Sequence, residues 1–196
     1  MKKTIFYLTI LLVLLSSCGL RKQISEMQNF AKCEFRLKTI EDINVANVNV
    51  QKVKSISDLN FMDAALITAS LAKGTLPLSL TLNVEAKNPN TSQAAMNKME
   101  WILLIDKTEI VEGVLNERIV IPPSGGSSII PLHIKTDLSA VLKKSGSELL
   151  GYGFGLTGSD NTSTRITLKV KPTIMIGKVP ITYPGYISVS KEFTSK

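Results

Sequence analysis

The chain has one histidine, one tryptophan and two cysteines among 196 residues. A lone histidine with no cysteine pair at metal spacing cannot supply a cluster of imidazole or thiolate ligands, so no metal and no cofactor is expected. That histidine, His133, falls on the outward phase of a stretch whose inward residues are Ile130, Leu132 and Ile134. It reads as an exposed strand residue. Blocks of like charge are missing as well, and the arginines do not interleave with aromatics, so nucleic acid is not an expected partner. After residue 17 no apolar run is long enough to cross a bilayer.

What is present begins at the N-terminus. Lys2 and Lys3 precede an apolar run from Ile5 to Leu15, followed by Ser16, Ser17, Cys18 and Gly19. The charged start and short apolar run form a secretory signal. As a helix, the run spans about half of a ~30 Å hydrocarbon core, which is too little for a permanent anchor. Leu15-Ser16-Ser17-Cys18 has the form of a lipobox, in which the thiol is diacylated and the chain is cut before it. Ser17 flanks the cut and Cys18 is the lipid attachment residue. Residues 1–17 are thus read as a signal peptide, 18–32 as a polar lipidated tether, and 33–196 as one domain. Two or three acyl chains suffice for stable attachment. Gly19 lacks the aspartate that holds many lipoproteins at the inner membrane, so the outer membrane is preferred within the cell envelope.

The formal charge is +7, of which Lys2 and Lys3 carry two. The remainder is spread thinly and reads as a solvated surface. With Cys18 acylated, Cys33 has no partner and no disulfide framework exists. Alternation over Cys33–Lys38 points Cys33 inward with Phe35 and Leu37, as a buried apolar residue.

The period-two pattern then slips by one residue between Val45 and Val48, which calls for a bulge or bend near Ala46-Asn47. Leu59, Met62, Leu66 and Ala69 recur at helical spacing, with Ser57 or Asp58 as cap and Lys73-Gly74 as stop. Leu78, Leu80, Leu82, Val84 and Ala86 alternate with polar residues in a strand that ends at Asn88-Pro89-Asn90. Further strands are expected at about 98–106, 109–121 and 127–135, with a bulge at Gly113. A second helix is expected over 137–150, then strands over 165–176 and 181–193. Pro180 and Pro184 mark the last as a blunted edge. The order predicts a mainly β chain: an immunoglobulin- or fibronectin-III-like antiparallel sandwich with one or two short added helices.

Three patterns invite enzymatic readings. Gly153-Phe154-Gly155-Leu156-Thr157-Gly158 follows a helical stretch and runs into a turn, the wrong context for a dinucleotide loop. Ser70-Leu71-Ala72-Lys73 and Ser159-Asp160-Asn161 match two motifs of penicillin-binding enzymes, but Ser70 falls near a helix end and no third motif follows. Asn90-Thr91-Ser92 and Asn161-Thr162-Ser163 are sequons that read as turns. No enzyme is expected.

The stretch from Leu78 to Thr136 resembles the type 2 late-embryogenesis-abundant (LEA type 2, or WHy) family. The resemblance lies in the strand running into Asn88-Pro89-Asn90, the strand around Trp101–Ile105, Gly113, Ile121-Pro122-Pro123 and the return over Ile129–Ile134. It implies a sandwich, no enzymatic activity, and stress protection. Asn88, Pro89 and Asn90 would then shape a turn. The function expected is a membrane-anchored envelope domain that binds or shields a partner, held by the lipid on Cys18. An envelope protein or an apolar ligand is the partner in view. The alternative is a lipid-handling protein, with the helix at 58–73 over an apolar cavity.

Overall fold

A computed structural model describes residues 19–53, 58–105, 107–139, 163–176 and 178–194. Two antiparallel sheets face one another. In the first, the order is β2 (Val48–Asn49), β1 (Glu34–Val45), β3 (Pro77–Lys87), β8 (Ser127–Asp137). In the second, β9 (Ser163–Ile176) is flanked by β5 (Lys98–Ile105), which carries β6 (Thr108–Leu115) beyond it. The other side of β9 takes β10 (Val179–Thr182) and then β11 (Ile187–Thr194). A two-stranded ribbon, β4 (Ala94–Met96) with β7 (Ile119–Ile121), closes one end. The expected antiparallel β-sandwich is what the chain forms.

The period-two strands explain the core. β3 turns Leu82, Val84 and Ala86 inward, with Leu37 from β1 and Ile130, Leu132 and Ile134 from β8. Facing them are Met99, Trp101, Leu103, Leu168 and Val170. Ala94, Met96 and Ile121 from the ribbon seal one pole, together with Phe30. A second cluster of Val45, Val48, Val50, Leu76, Leu78, Ile110 and Leu138 fills the opposite pole. The eleven-residue β3 sets the poles ~33 Å apart.

Several expectations need correction. Residues 19–31 form a helix, α1, rather than a loose spacer. Its buried positions, Glu26, Met27 and Phe30, fall on one face. The bulge or bend expected near Ala46-Asn47 takes the form of a bend, a tight hairpin turn between β1 and β2 with φ of 50° and 66° at the two residues. The irregularities of β1 lie earlier, between Leu37 and Thr39 and between Glu41 and Asn44, where Asp42 has φ 55°. The strand read as 109–121 is two strands, because β7 leaves the β5–β6 ladder to pair with β4. Gly113 is in regular register opposite Trp101; the slip in that ladder falls between Leu103 and Leu104.

The helix α2 (Phe61–Ala72) starts two or three residues later than expected. Asn60 is its N-cap, accepting from the Asp63 amide at 2.9 Å. Lys73 and Gly74, the latter at φ 77°, end it as the sequence implied. β10 and β11 do lie at a sheet edge, interrupted around Pro184. The helix expected over 137–150 lies outside the described residues after Ser139, where β8 has just ended at Asp137. The glycine-rich motif at 153–158 and Ser159-Asp160-Asn161 lie outside them too, as do Ser17 and Cys18.

Candidate functional site

The Asn88-Pro89-Asn90 turn sits at the pole that receives α1. Asn88 is fully buried and every polar atom of its side chain is used. Its Nδ2 donates to the Ser92 carbonyl at 2.9 Å and the Ile121 carbonyl at 3.2 Å. Its Oδ1 accepts from the Asn90 amide at 3.0 Å and from Asn90 Nδ2 at 2.7 Å. The backbone is clasped as well: Asn88 N–H donates to Gly126 O, Gly125 N–H to Asn88 O, and Ser124 N–H to Asn90 O. Ser124 and Gly125, at φ 57° and 84°, make the tight turn that allows this. The loop after β3 is thereby stitched to the loop before β8.

The same turn reaches the helix. Asn90 Nδ2 donates to the Asn29 carbonyl at 3.1 Å, and Asn29 Nδ2 donates to the Gln93 carbonyl at 3.1 Å. Gln93 Nε2 donates to Glu26 Oε1 at 3.2 Å, while Arg118 pairs with Glu26 Oε2 at 2.9 Å. Glu26 is buried, so its charge is stabilised by a donor on each oxygen. Beneath them Phe30 is wholly buried and stacks obliquely on Phe35, centroids 5.2 Å apart. The sequence reading missed Glu26, Phe30 and Arg118. The only signal was Glu26, Met27 and Phe30 at helical spacing, and two apolar residues in a polar stretch do not announce a helix.

Cys33 lies at the end of α1, buried as expected, with its thiol donating to the Asn29 carbonyl at 3.4 Å. Burial, helped by the neighbouring Glu34 charge, pushes the thiol pKa up to about 11. It is an inert packing group at neutral pH.

The opposite pole is apolar. Between the sheets a cavity of about 50 Å³ is lined only by aliphatic side chains, among them Ile40, Ile43, Leu80, Leu103, Ile110 and Ile166. Ligand sites usually need ~300–1,000 Å³, so this space is far too small for an acyl chain. Here α2 lies against β2, with Leu59 and Ile67 on the second core cluster. Met62, Leu66 and Ala69, which a cover over an apolar cavity would turn inward, are exposed, so they neither pack on the sandwich nor line a void.

The remaining candidates are not brought together. The Ser70 hydroxyl donates to the Thr75 carbonyl at 3.0 Å, a local bond beyond its own helix. His133 is exposed on β8 and touches Thr81 Oγ1 at 3.2 Å. On the outer surface Arg36 and Lys38 of β1 converge on Glu85 of β3. The Arg36 hydrogen bond, more than the Lys38 one, holds that carboxyl below its usual pKa.

No family model matches the chain, and no curated protein does. Three solved structures are similar to it at a distance. A protein from Archaeoglobus fulgidus shares 15% identity with a TM-score of 0.37, over 61% of this chain and 86% of that one. A protein from Arabidopsis thaliana shares 14% with a TM-score of 0.37, over 60% and 70%. A protein described as late embryogenesis abundant shares 14% with a TM-score of 0.38, over 91% of this chain and 85% of that one.

Proposed function

We infer that this chain is a non-enzymatic, lipid-anchored domain of the cell envelope, attached through Cys18 and built to bind or shield a partner in the manner of the LEA type 2 family. The observation that carries this reading is the docking of α1. The described chain is helical from the residue after the lipobox cysteine onward, and that helix ends buried in the sandwich, at Phe30 and the Glu26–Arg118 pair. Eleven helical rises from Gly19 to Phe30 cover ~17 Å. A lipid on Cys18 would therefore hold the domain close to the membrane through a short helical strut, with the α2 pole turned away from that attachment. The Asn88-Pro89-Asn90 turn braces the strut rather than offering a nucleophile. A domain that handles a lipid within its core is the lesser reading, because the aliphatic cavity between the sheets, among the described residues, is too small for one.

Intact-mass spectrometry of the protein extracted from membranes tests this, beside a Cys18→Ser variant. The expected result is a di- or triacyl mass on a chain beginning at Cys18, and release of the variant to the soluble fraction. An unmodified cysteine on the membrane-extracted protein would overturn the anchor. A lipid that stays bound to the soluble variant would favour the lipid-handling reading instead.

A further inference from the structure

The helix α1 has two unlike faces. Glu26, Met27 and Phe30 are buried, while Arg21, Ser25 and Gln28 form an exposed stripe on the opposite side, with Lys22 beside it. Lys32, just past the helix end, continues the stripe in phase. The one carboxylate of α1, Glu26, is on the buried side and paired with Arg118, so no acid of the helix faces outward. A second cationic point lies at the same pole. β9 runs past its last β5 partners, Thr173 opposite Lys98, to Ile176, which pairs with Val179 at the start of β10. Three more residues carry this end ~10 Å beyond β5, on the side where β5 follows the ribbon strand β4. Lys178 is exposed there and Val179 is 62% exposed. The other charges of this pole largely cancel. Lys98 pairs with Glu100, and Glu34 stands opposite Lys87 in the β1–β3 ladder. Among the described residues that leaves Glu117 against Arg21, Lys22, Lys32 and Lys178. Charge that is spread thinly along the sequence is gathered here by the fold.

We propose that this pole rests on anionic lipid headgroups, with α1 lying along the membrane surface on its cationic stripe and Lys178-Val179 as a second contact. This rests on the anchor reading above and adds an orientation to it. Two observations select a membrane over an acidic protein. The first is continuity. Arg21 and Lys22 stand in the first described turn of α1, beside the attachment residue. A lipid on Cys18 thus brings them within a Debye length, ~8 Å, of headgroup charge. Each cation held there strengthens binding about fivefold. The second is the pattern of apolar exposure. Leu20, 40% exposed, and Val179 stand singly next to cations. Isolated apolar groups flanked by lysine or arginine suit the headgroup–acyl boundary, whereas a protein partner would call for a continuous patch. The α2 pole has no such excess: Asp58, Asp63 and Glu109 are mixed there with Lys73 and Lys107.

The test uses the full-length protein, extracted from membranes and returned to vesicles of phosphatidylcholine alone or mixed with phosphatidylglycerol. A fluorophore is placed at Gln28→Cys, at Val179→Cys or, for comparison, at Met62→Cys on the exposed side of α2. The vesicles carry a headgroup nitroxide that quenches on approach. In mixed vesicles the labels at 28 and 179 should be quenched at least threefold more than the label at 62. That excess should fall away in phosphatidylcholine alone and in high salt. Arg21→Glu with Lys22→Glu should abolish it, whereas Lys73→Glu with Lys107→Glu, the same change in net charge at the other pole, should leave it intact. Labels at 28 and 179 no more quenched than the one at 62 overturn the proposal. So does equal quenching in both vesicle types, or an equal response to the two pairs of reversals. A photoreactive group at position 28 in intact membranes should link to lipid, and linkage to a protein instead overturns it as well. The acyl mass on Cys18, read from the same sample, judges the anchor separately, because the lipid, salt and charge dependence at 28 and 179 is scored without it.

Discussion

The indole of Trp101 lies directly against the Cα of Gly113 on the neighbouring strand. A Cβ built at Gly113 would stand 2.2 Å from Cζ2 and within 2.8 Å of two more ring atoms. The two residues are register partners in the β5–β6 ladder, and the indole is buried in the main core. Glycine is needed here for space, not for backbone freedom, because its φ is not in the left-handed region. Gly113→Ala should cost about 2–3 kcal/mol through overpacking. That corresponds to a fall in Tm of about 4–10 °C for a domain of this size. Thermal unfolding of Gly113→Ala, Trp101→Leu and the double variant checks the relationship. In the Trp101→Leu background the alanine should be nearly neutral; an equal penalty in both backgrounds would remove the indole as the cause.

Asn88 should be intolerant of change for a different reason. Its amide supplies donors to two carbonyls, those of Ser92 and Ile121, and no other side chain reaches either among the described contacts. Asn88→Ala takes away both donors and leaves the buried Ile121 carbonyl without this partner, at a cost of about 1–3 kcal/mol. Asn88→Asp keeps the acceptor facing Asn90 and replaces the donors by a negative oxygen aimed at carbonyls, so it should be at least as harmful. Urea denaturation of both variants measures this. An aspartate variant as stable as the parent would mean that the donor side of Asn88 contributes little.

The strut makes its own prediction. Phe30→Ala removes a wholly buried ring and should cost about 3–5 kcal/mol. Hydrogen exchange should rise across 19–30 more than across β3, because α1 has few other apolar attachments than Met27. A merely tethering spacer would give neither effect. Glu26→Gln should loosen the same helix less, since Gln93 can still donate to the amide oxygen while Arg118 loses its ion partner.

These cases show where the sequence was legible. β3 was plain because one of its faces is dry and the other wet, and period two reports that contrast directly. The Asn88-Pro89-Asn90 turn was visible as a turn, but its reach to Asn29 was not, because that contact spans 61 residues. α2 was legible as a helix and not in its orientation. With Asp63 as its one interior charge, apolar residues surround it, and periodicity alone cannot say which stripe faces the sandwich. Leu59 and Ile67 won that contact, leaving Met62 and Leu66 outside. The end of β6 was missed for a related reason: Val114, Leu115, Ile119, Val120 and Ile121 read as one strand, although Asn116-Glu117-Arg118 redirects the chain to pair with β4.

Cys33 supplies a prediction with a defined pH window. Its pKa rises from the ordinary 9.0 to about 11 in the folded chain, chiefly by burial and secondarily by Glu34. A folded pKa above the unfolded one means that the neutral thiol is favoured by folding. The associated stability is complete below pH 9, declines as pH rises through the unfolded value, and is lost above about 11. At pH 8 the folded protein should react with a thiol-specific disulfide reagent at a small fraction of the rate of the urea-unfolded chain. Glu34→Gln should lower the thiol pKa modestly and leave most of the protection in place, because burial is the larger cause. The measurement is the reaction rate from pH 7 to 11 for parent and variant in the Cys18→Ser background, where Cys33 is the only thiol. Rapid reaction of the folded parent at pH 8 would show that the end of α1 opens often enough to expose it, and would weaken the case for a firmly docked strut.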